Sequence, residues 1–107
     1  MSYVIRVRPE AVSDIDEQAE YYESRDAGLG RRFAQAVTMT IDRIAPMPLK
    51  LRPRHGDVRI ALVGRFPFGV AYFVDGDDIV VLPVLDLRRN PVGNVTTLDE
   101  RRGKSPR

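Results

Sequence analysis

"RFPFGVAYFVDGDDIVVLPVL", residues 65–85, contains two apolar runs joined by the turn-forming sequence "DGDD". Because Gly76 tolerates the positive φ of a tight hairpin turn, the runs at 69–74 and 79–85 predict two adjacent antiparallel strands. A third apolar run, "VRIALV" at 58–63, comes just before them. The C-terminal half of the chain therefore predicts a meander of three strands.

The corner between the first two of these strands is marked by Pro67, which has a phenylalanine on each side. Proline has no amide donor, so we expect it at the entrance of a strand or at a bulge. The side chains of Phe66 and Phe68 are expected to point to opposite sides as the chain turns. Arg65 is expected to lie at the same corner.

The N-terminal half predicts a short strand, "YVIRVR", followed by two helices. The first helix is expected from about Pro9 to Ser24, and its apolar side chains recur every three or four residues. A second helix is expected from about Leu29 to Ala45, and the short "RDAG" link makes the two helices antiparallel neighbours. The predicted apolar stripe of the first helix consists of Val12, Ile15, Ala19 and Tyr22.

The predicted order is β-α-α-β-β-β, which indicates a two-layer α+β fold with a helical hairpin packed on an antiparallel-rich, four-stranded sheet. The 107 residues suffice for one domain, which we expect at residues 1–91, with a charged tail at 92–107. Apolar residues make up 43% of the chain and charged residues 30%, as in globular proteins. No apolar run reaches the length of a membrane span and no signal-peptide pattern is present, so we expect a cytoplasmic protein.

Cysteine is absent and His55 is the single histidine, so the chain has no disulfide, no thiolate metal site and no histidine metal cluster of its own. We therefore predict no metal and no cofactor. His55 lies in the proline-rich connector "PMPLKLRPRHGD" at 46–57, where it is expected to be a solvated loop residue. It is nevertheless the one side chain whose ordinary pKa suits acid/base chemistry near neutrality.

The charge is unevenly distributed along the chain. Residues 1–46 carry 6 basic and 8 acidic side chains, whereas residues 47–107 carry 11 basic and 7 acidic ones. The C-terminal half is therefore the half expected to meet an anionic partner. Of the 17 basic residues 15 are arginine, whose planar guanidinium suits recognition of phosphates and carboxylates.

In order and spacing, several segments resemble the RelE/ParE superfamily of toxins from type II toxin-antitoxin modules. They are "AVSDIDEQAEYY", "GRRFAQAV", "VR" at 58–59, the block at 65–85, and "DLRRNP" after it. The resemblance extends from residue 4 to residue 91 and implies the β-α-α-β-β-β fold. It also implies a cognate antitoxin as partner, with DNA contacted only through that antitoxin, and no membrane partner.

The RelE branch of this superfamily cleaves messenger RNA on the ribosome, a reaction that needs a proton acceptor, a proton donor and cations around the phosphate. If this chain were such a nuclease, the cations would be Arg59, Arg65, Arg88 and Arg89. Many members carry a histidine in an "H-x-R-R-x-P" box, but this chain has Asp86 at that position. A carboxylate there would repel the phosphate.

The ParE branch shares the fold, lacks the nuclease residues and is associated with poisoning DNA gyrase. Our leading interpretation is therefore a ParE-like toxin that acts by protein binding, with DNA gyrase as target. The alternatives are a RelE-like, ribosome-dependent endoribonuclease and a degenerate, non-toxic partner of an antitoxin. The residues expected to contact a target or an antitoxin are Tyr21, Tyr22, Arg52, Arg54, Arg88 and Arg89.

Each of these residues also has an ordinary structural interpretation. Tyr21 and Tyr22 would lie at the boundary of a solvated helix face. Arg52 and Arg54 would belong to a solvated connector. Arg88 and Arg89 would pair with nearby carboxylates at the end of the sheet.

Overall fold

Two helices pack on one face of a five-stranded sheet in the computed structural model, which describes residues 3–89. This arrangement confirms the predicted α+β class and the antiparallel helical hairpin. The predicted tail at 92–107 and the end of the predicted domain lie outside the described residues. The elements are β1 (Val4–Val7), α1 (Pro9–Arg25), α2 (Leu29–Ile44), β2 (Arg59–Leu62), β3 (Phe68–Asp75), β4 (Asp78–Val81) and β5 (Leu85–Asp86).

The strand order is β1-β4-β3-β2, with β5 paired to β3 as well. Among the strands of residues 3–89, only β1 and β4 run parallel, and the other pairs are antiparallel. The hairpin between β3 and β4 turns at Gly76, whose φ is +61°, as the sequence predicted. The central strand is β3, which explains why its sequence is apolar at nearly every position.

The single strand predicted at 79–85 is wrong, because the chain forms two short strands there, β4 and β5. Pro83 lies between them and cannot donate a hydrogen bond to a neighbouring strand. The amide of Leu82 still donates to the carbonyl of Ala71 at 2.9 Å, and pairing resumes where Leu85 meets Gly69. In the described part of the chain the sheet therefore has five strands instead of the predicted four.

Helix α1 begins at Pro9, where a missing amide donor costs nothing, but its buried side differs from the predicted stripe. Val12 is 46% exposed, whereas Ala11 is fully buried. Ile15, Ala19 and Tyr22 pack against the core as predicted. Ala11 lies four residues before Ile15 and therefore completes the same stripe, while Val12 is rotated by about 100° from Ala11 around the helix.

The predicted placement of Phe66 and Phe68 on opposite sides is also wrong. Both rings contact Tyr22 and Phe33, with ring centroids between 5.2 and 6.3 Å apart. The tight turn at Arg65 precedes Phe66, and both rings face the helices. As predicted, Pro67 lies directly before a strand, and its carbonyl accepts a hydrogen bond from Leu87 at 2.9 Å.

The two faces of the sheet carry separate apolar clusters. On the face covered by the helices, Phe33 and Val37 of α2 pack with Val70 and Tyr72 of β3. The opposite face carries a second cluster of buried side chains: Val58, Ile60, Ala71, Phe73, Leu82 and Leu85. In the part of the chain that the structure describes, no helix is long and apolar enough to span a bilayer.

Candidate functional site

Asp86 holds the two arginines that follow β5. Its Oδ1 accepts hydrogen bonds from the backbone amide of Arg88 at 3.0 Å and from the Arg88 Nε at 3.2 Å. Its Oδ2 accepts a further hydrogen bond from Arg88 Nη2 at 3.2 Å and lies 3.9 Å from Arg89 Nε. The carboxylate thus binds the Arg88 guanidinium through two oxygens and orients it relative to the end of the sheet.

This contact favours the charged form of Asp86. Burial raises the pKa of the carboxyl group, but the hydrogen bonds from Arg88 and the positive charges of Arg88 and Arg89 outweigh that effect. The pKa of Asp86 is therefore lowered from its ordinary value, and the group is a carboxylate at neutral pH. Pairing with nearby carboxylates was the structural interpretation of these two arginines, and in the structure both lie within 4 Å of Asp86.

Tyr22 packs inside the aromatic cluster beneath Arg88. Its ring contacts Phe33, Phe66 and Phe68, while the Arg88 guanidinium carbon lies 5.8 Å from the centre of the Phe68 ring. Burial raises the pKa of the Tyr22 phenol, although the charge of Arg88 opposes the rise. Tyr22 is thus a half-buried, protonated phenol at neutral pH.

Tyr21 is the exposed neighbour of this cluster. The residue is 48% exposed, and its ring meets the Tyr22 ring edge-on, with centroids 5.8 Å apart. The hydroxyl accepts a hydrogen bond from Arg25 Nη1 at 3.2 Å, and the Arg25 guanidinium carbon lies 5.4 Å from the ring centre. Exposed tyrosine and arginine side chains are enriched among the residues that dominate protein–protein binding.

We call this surface the Arg88 end; it comprises Tyr21, Tyr22, Arg25, Asp86, Arg88 and Arg89. The structure therefore brings together four of the predicted contact residues, from α1 and from the end of β5. The arginines are exposed, whereas Tyr22 is half-buried and serves mainly in packing.

The four arginines predicted for a nuclease do not form one group. Arg59 pairs with Tyr72 in the sheet and donates from Nε to the carbonyl of Leu51 at 2.7 Å. Asp86 instead pairs with Phe68, four residues earlier in β3, which corresponds to about 13 Å along a strand. Arg59 therefore lies near the connector, away from Arg88.

Arg65 is exposed at the corner before β3, as predicted, and has a positive φ of 69°. This conformation is uncommon for a residue with a side chain and marks a tight turn. The amide of the next residue, Phe66, donates to the Val63 carbonyl at 3.2 Å and closes that turn. Arg65 therefore forms part of the tight turn before β3, a structural role that its charge did not predict.

The connector between α2 and β2 carries the remaining predicted residues. Arg52 and Arg54 are both exposed, and Arg54 borders a groove beside β2. His55 is half-buried and forms an isolated bridge with Val58, just before β2. Since Arg59 begins β2, His55 lies at the Arg59 end of that strand, not at the end where Asp86 is found.

Sequence reasoning missed the groove itself, which has a volume of about 520 Å³. It is formed because the connector returns along the end of α2, where the Tyr72 hydroxyl donates to the Pro48 carbonyl at 2.8 Å. The available signal was the occurrence of Met47 and Leu51 within a proline-rich connector. In residues 3–89 no three His, Cys, Asp or Glu side chains gather as a possible metal-ligand group.

Comparison with known proteins gives two findings. The sequence model of the family described as "ParE toxin of type II toxin-antitoxin system, parDE" matches residues 5–91. The fold is similar to a chain in a solved structure of the chromosomal ParDE TA system from P. aeruginosa, with a TM-score of 0.58 and 18% sequence identity. That match covers 78% of this chain and 94% of the other one. No curated protein matches the chain.

Proposed function

Because the chain belongs to the ParE toxin family of type II toxin-antitoxin systems, we propose that it inhibits growth by binding DNA gyrase and that a cognate antitoxin neutralises it. The proposed site of action is the cytoplasm, and the proposed role of the module includes plasmid stabilisation. The observation that supports a mechanism by protein binding is the contact of Asp86 with Arg88 and Arg89.

The Asp86 contact argues against phosphate chemistry at this surface. A guanidinium that stabilises a developing phosphate charge must be available to it, but Arg88 already binds a carboxylate through two oxygens. Proton transfer also needs a group whose pKa lies near neutrality. The lowered pKa of Asp86 and the raised pKa of Tyr22 move both groups away from that range.

Protein binding fits the same geometry. Tyr21 and Arg25 form an exposed pair, Tyr21 interacts electrostatically with Arg88, and Asp86 orients Arg88 in advance. A side chain that is already ordered loses less entropy on binding. We propose that Tyr21, Arg88 and Arg89 contact the target, and that Arg52 and Arg54 serve a partner at the connector.

Two assays on the purified protein test this proposal. We expect it to inhibit DNA supercoiling by gyrase and to leave messenger RNA intact on programmed ribosomes. Replacing Arg88 or Arg89 with alanine should weaken the inhibition only in part, because each substitution removes part of a contact surface. Arg31→Ala, at an exposed position of α2, is the matched control and should leave the inhibition unchanged.

The Asp86→His variant separates binding from nuclease activity. We expect no cleavage from it, because Arg59 lies far from Arg88 and the substitution removes the group that orients Arg88. Ribosome-dependent cleavage by the wild-type protein would overturn the proposal. Cleavage by Asp86→His alone would show that the arginines were placed for chemistry and that only an acid/base group was missing.

A further inference from the structure

The turn between β2 and β3 holds Arg65 in a backbone conformation that suits glycine. Its φ is +69°, and within residues 3–89 it is the one residue other than glycine with a positive φ. The Val63 carbonyl accepts a hydrogen bond from the Phe66 amide at 3.2 Å, so Arg65 is the third residue of a four-residue turn. Where that position has a positive φ, as in type II turns, glycine is the usual residue. A side chain there strains the backbone.

The described fold gains nothing from this side chain. Gly64, directly before Arg65, has the permissive residue type but no positive φ. The Arg65 side chain is exposed, and in the described part of the chain its guanidinium forms no ion pair or hydrogen bond. Glycine at position 65 would therefore relieve the strain without the loss of such a contact. A strained residue of this kind points to a role in binding.

Arg65 lies close to the Arg88 end. The Leu87 amide donates to the Pro67 carbonyl at 2.9 Å, which extends the antiparallel pairing of β3 with β5. Arg65 is two residues before Pro67, and Arg88 directly follows Leu87. The Cα atoms of Arg65 and Arg88 are therefore at most about 17 Å apart. One partner surface can contact both guanidinium groups.

The aromatic cluster anchors both arginines. The ring of Phe66, the residue after Arg65, has its centre 5.2 Å from that of Tyr22. The Arg88 guanidinium carbon lies 5.8 Å from the centre of the Phe68 ring. These packed rings hold the turn and the end of β5 in one arrangement, so the two cations are presented together and lose little entropy on binding.

The arrangement of charges favours a protein partner that carries carboxylates. The cations are Arg25, Arg65, Arg88 and Arg89, and Asp86 lies within 4 Å of the last two. Double-stranded DNA carries one negative charge per about 1.7 Å of its axis, so a row of phosphates would bring negative charge close to Asp86. The carboxylates of a protein surface can instead be spaced around it. A guanidinium binds a carboxylate through two oxygens, as Arg88 does here.

We propose that Arg65 contacts the target together with Arg88 and Arg89, and that this surface recognises carboxylates of the target protein. The inference rests on the proposed function and adds to it one residue and the chemical class that the surface recognises. The strained turn keeps an arginine instead of a glycine because the guanidinium binds the partner. The fold thus gives up stability for a binding contact.

Two variants separate the effect of the backbone from that of the side chain. Arg65→Gly removes the guanidinium and relieves the strain, so the melting temperature should rise by about 2–5 °C. Arg65→Ala removes the same guanidinium and keeps the positive φ, so its melting temperature should not rise. Both should weaken the inhibition of gyrase supercoiling about tenfold. Arg65→Lys keeps the charge without the planar fork and should weaken it less, and the matched control Arg31→Ala should leave it unchanged.

A second assay does not need gyrase. A capped peptide of eight glutamates is titrated into the labelled protein, and the Nε–H resonances of Arg65 and Arg88 should shift more than that of Arg31. The affinity should fall as salt is added. Arg65→Gly should weaken peptide binding about threefold. The same variant should change the binding of a DNA duplex of 12 base pairs by less than about twofold.

The outcomes distinguish this inference from the proposed function. Wild-type protein that fails to inhibit gyrase but binds the peptide through Arg65 would contradict the gyrase target and support the contact. Inhibition that Arg65→Gly leaves intact would overturn the inference while the proposed function stands. Equal peptide binding by the wild type and Arg65→Gly would overturn it as well, as would a loss of duplex binding alone. A lower melting temperature of Arg65→Gly would also overturn it, because the side chain would then serve the fold.

Discussion

At the level of single residues, Asp86 shows how one carboxylate changes the role of its neighbours. Asp86 is the carboxylate that binds the Arg88 guanidinium and lies 3.9 Å from Arg89 Nε. With it, Arg88 lies over the Phe68 ring in a fixed orientation. The same arginines thus become part of an ordered surface.

The lowered pKa of Asp86 predicts a pH dependence of stability. A carboxyl group whose pKa is lower in the folded state stabilises the fold above its unfolded-state pKa, which is about 4, and loses that effect as the pH falls through the folded-state value. Asp86→Asn should therefore lower the free energy of unfolding at pH 7 by at most about 1 kcal/mol. Urea denaturation of both proteins at several pH values measures this. A difference that stays constant below pH 4 would contradict the prediction.

Tyr72 makes a second side-chain contact on which the fold depends. Its hydroxyl is buried and donates to the Pro48 carbonyl, which attaches the connector to the sheet. Tyr72→Phe leaves that carbonyl without its donor, so unfolding should become easier by about 1–2 kcal/mol. Tyr21→Phe is the matched control, since it removes an exposed hydroxyl. Equal losses in the two variants, measured by urea denaturation, would mean that the connector is not held by this bond.

At the level of elements, the helical hairpin depends on a cap that one helix supplies to the other. Helix α2 begins after Gly28, which has no side chain to cap it. Glu23 of α1 takes that role, because its carboxylate accepts hydrogen bonds from the amides of Gly28 at 2.8 Å and Gly30 at 3.0 Å. These bonds are the main reason that the pKa of Glu23 is lowered.

We expect Glu23→Ala to lower the melting temperature and to speed hydrogen exchange in the first turn of α2. Glu20→Ala, which removes an exposed carboxylate from the same helix, is the control and should change neither. Gly30→Ala should destabilise the hairpin too, since a Cβ there would overlap the Ala19 carbonyl. Unchanged exchange in α2 after the loss of Glu23 would contradict the capping role.

At the level of the whole molecule, four aromatic rings join the two layers. Tyr22 and Phe33 come from the helices, Phe66 comes from the corner before β3, and Phe68 is the first residue of β3. Because Tyr22 belongs to the Arg88 end and Arg88 lies over the Phe68 ring, the orientation of that surface depends on this cluster.

The cluster predicts unequal effects at three consecutive positions. Phe68→Ala should cost about 3–5 kcal/mol because that ring is 2% exposed. Phe66→Ala should cost less, since its ring is half-buried, and Pro67→Ala should cost less than about 1 kcal/mol. Urea denaturation compares the three variants directly. Similar losses at all three positions would contradict the observed packing of this corner.

The order of elements could be predicted from the sequence, because helical and strand periodicity, the proline after β1 and the glycine of the β3–β4 turn act over a few residues. The break at Pro83 also has a local cause, because proline has no amide donor. The single strand predicted at 79–85 was wrong because that prediction gave the apolar run more weight than the missing amide. Asp86 and Arg88 are two residues apart in the chain, so their contact is local too. The structural interpretation of the two arginines, pairing with nearby carboxylates, predicted it.

Only the tertiary structure decided which distant residues meet. Strand order places Arg59 beside the connector and Arg88 beside Tyr22, although the sequence offered both as members of one site. Tertiary packing buries Ala11 and leaves Val12 exposed, and the return of the connector along α2 forms the groove beside β2. Such contacts depend on how elements pack across the whole chain, and periodicity within one segment carries no information about them.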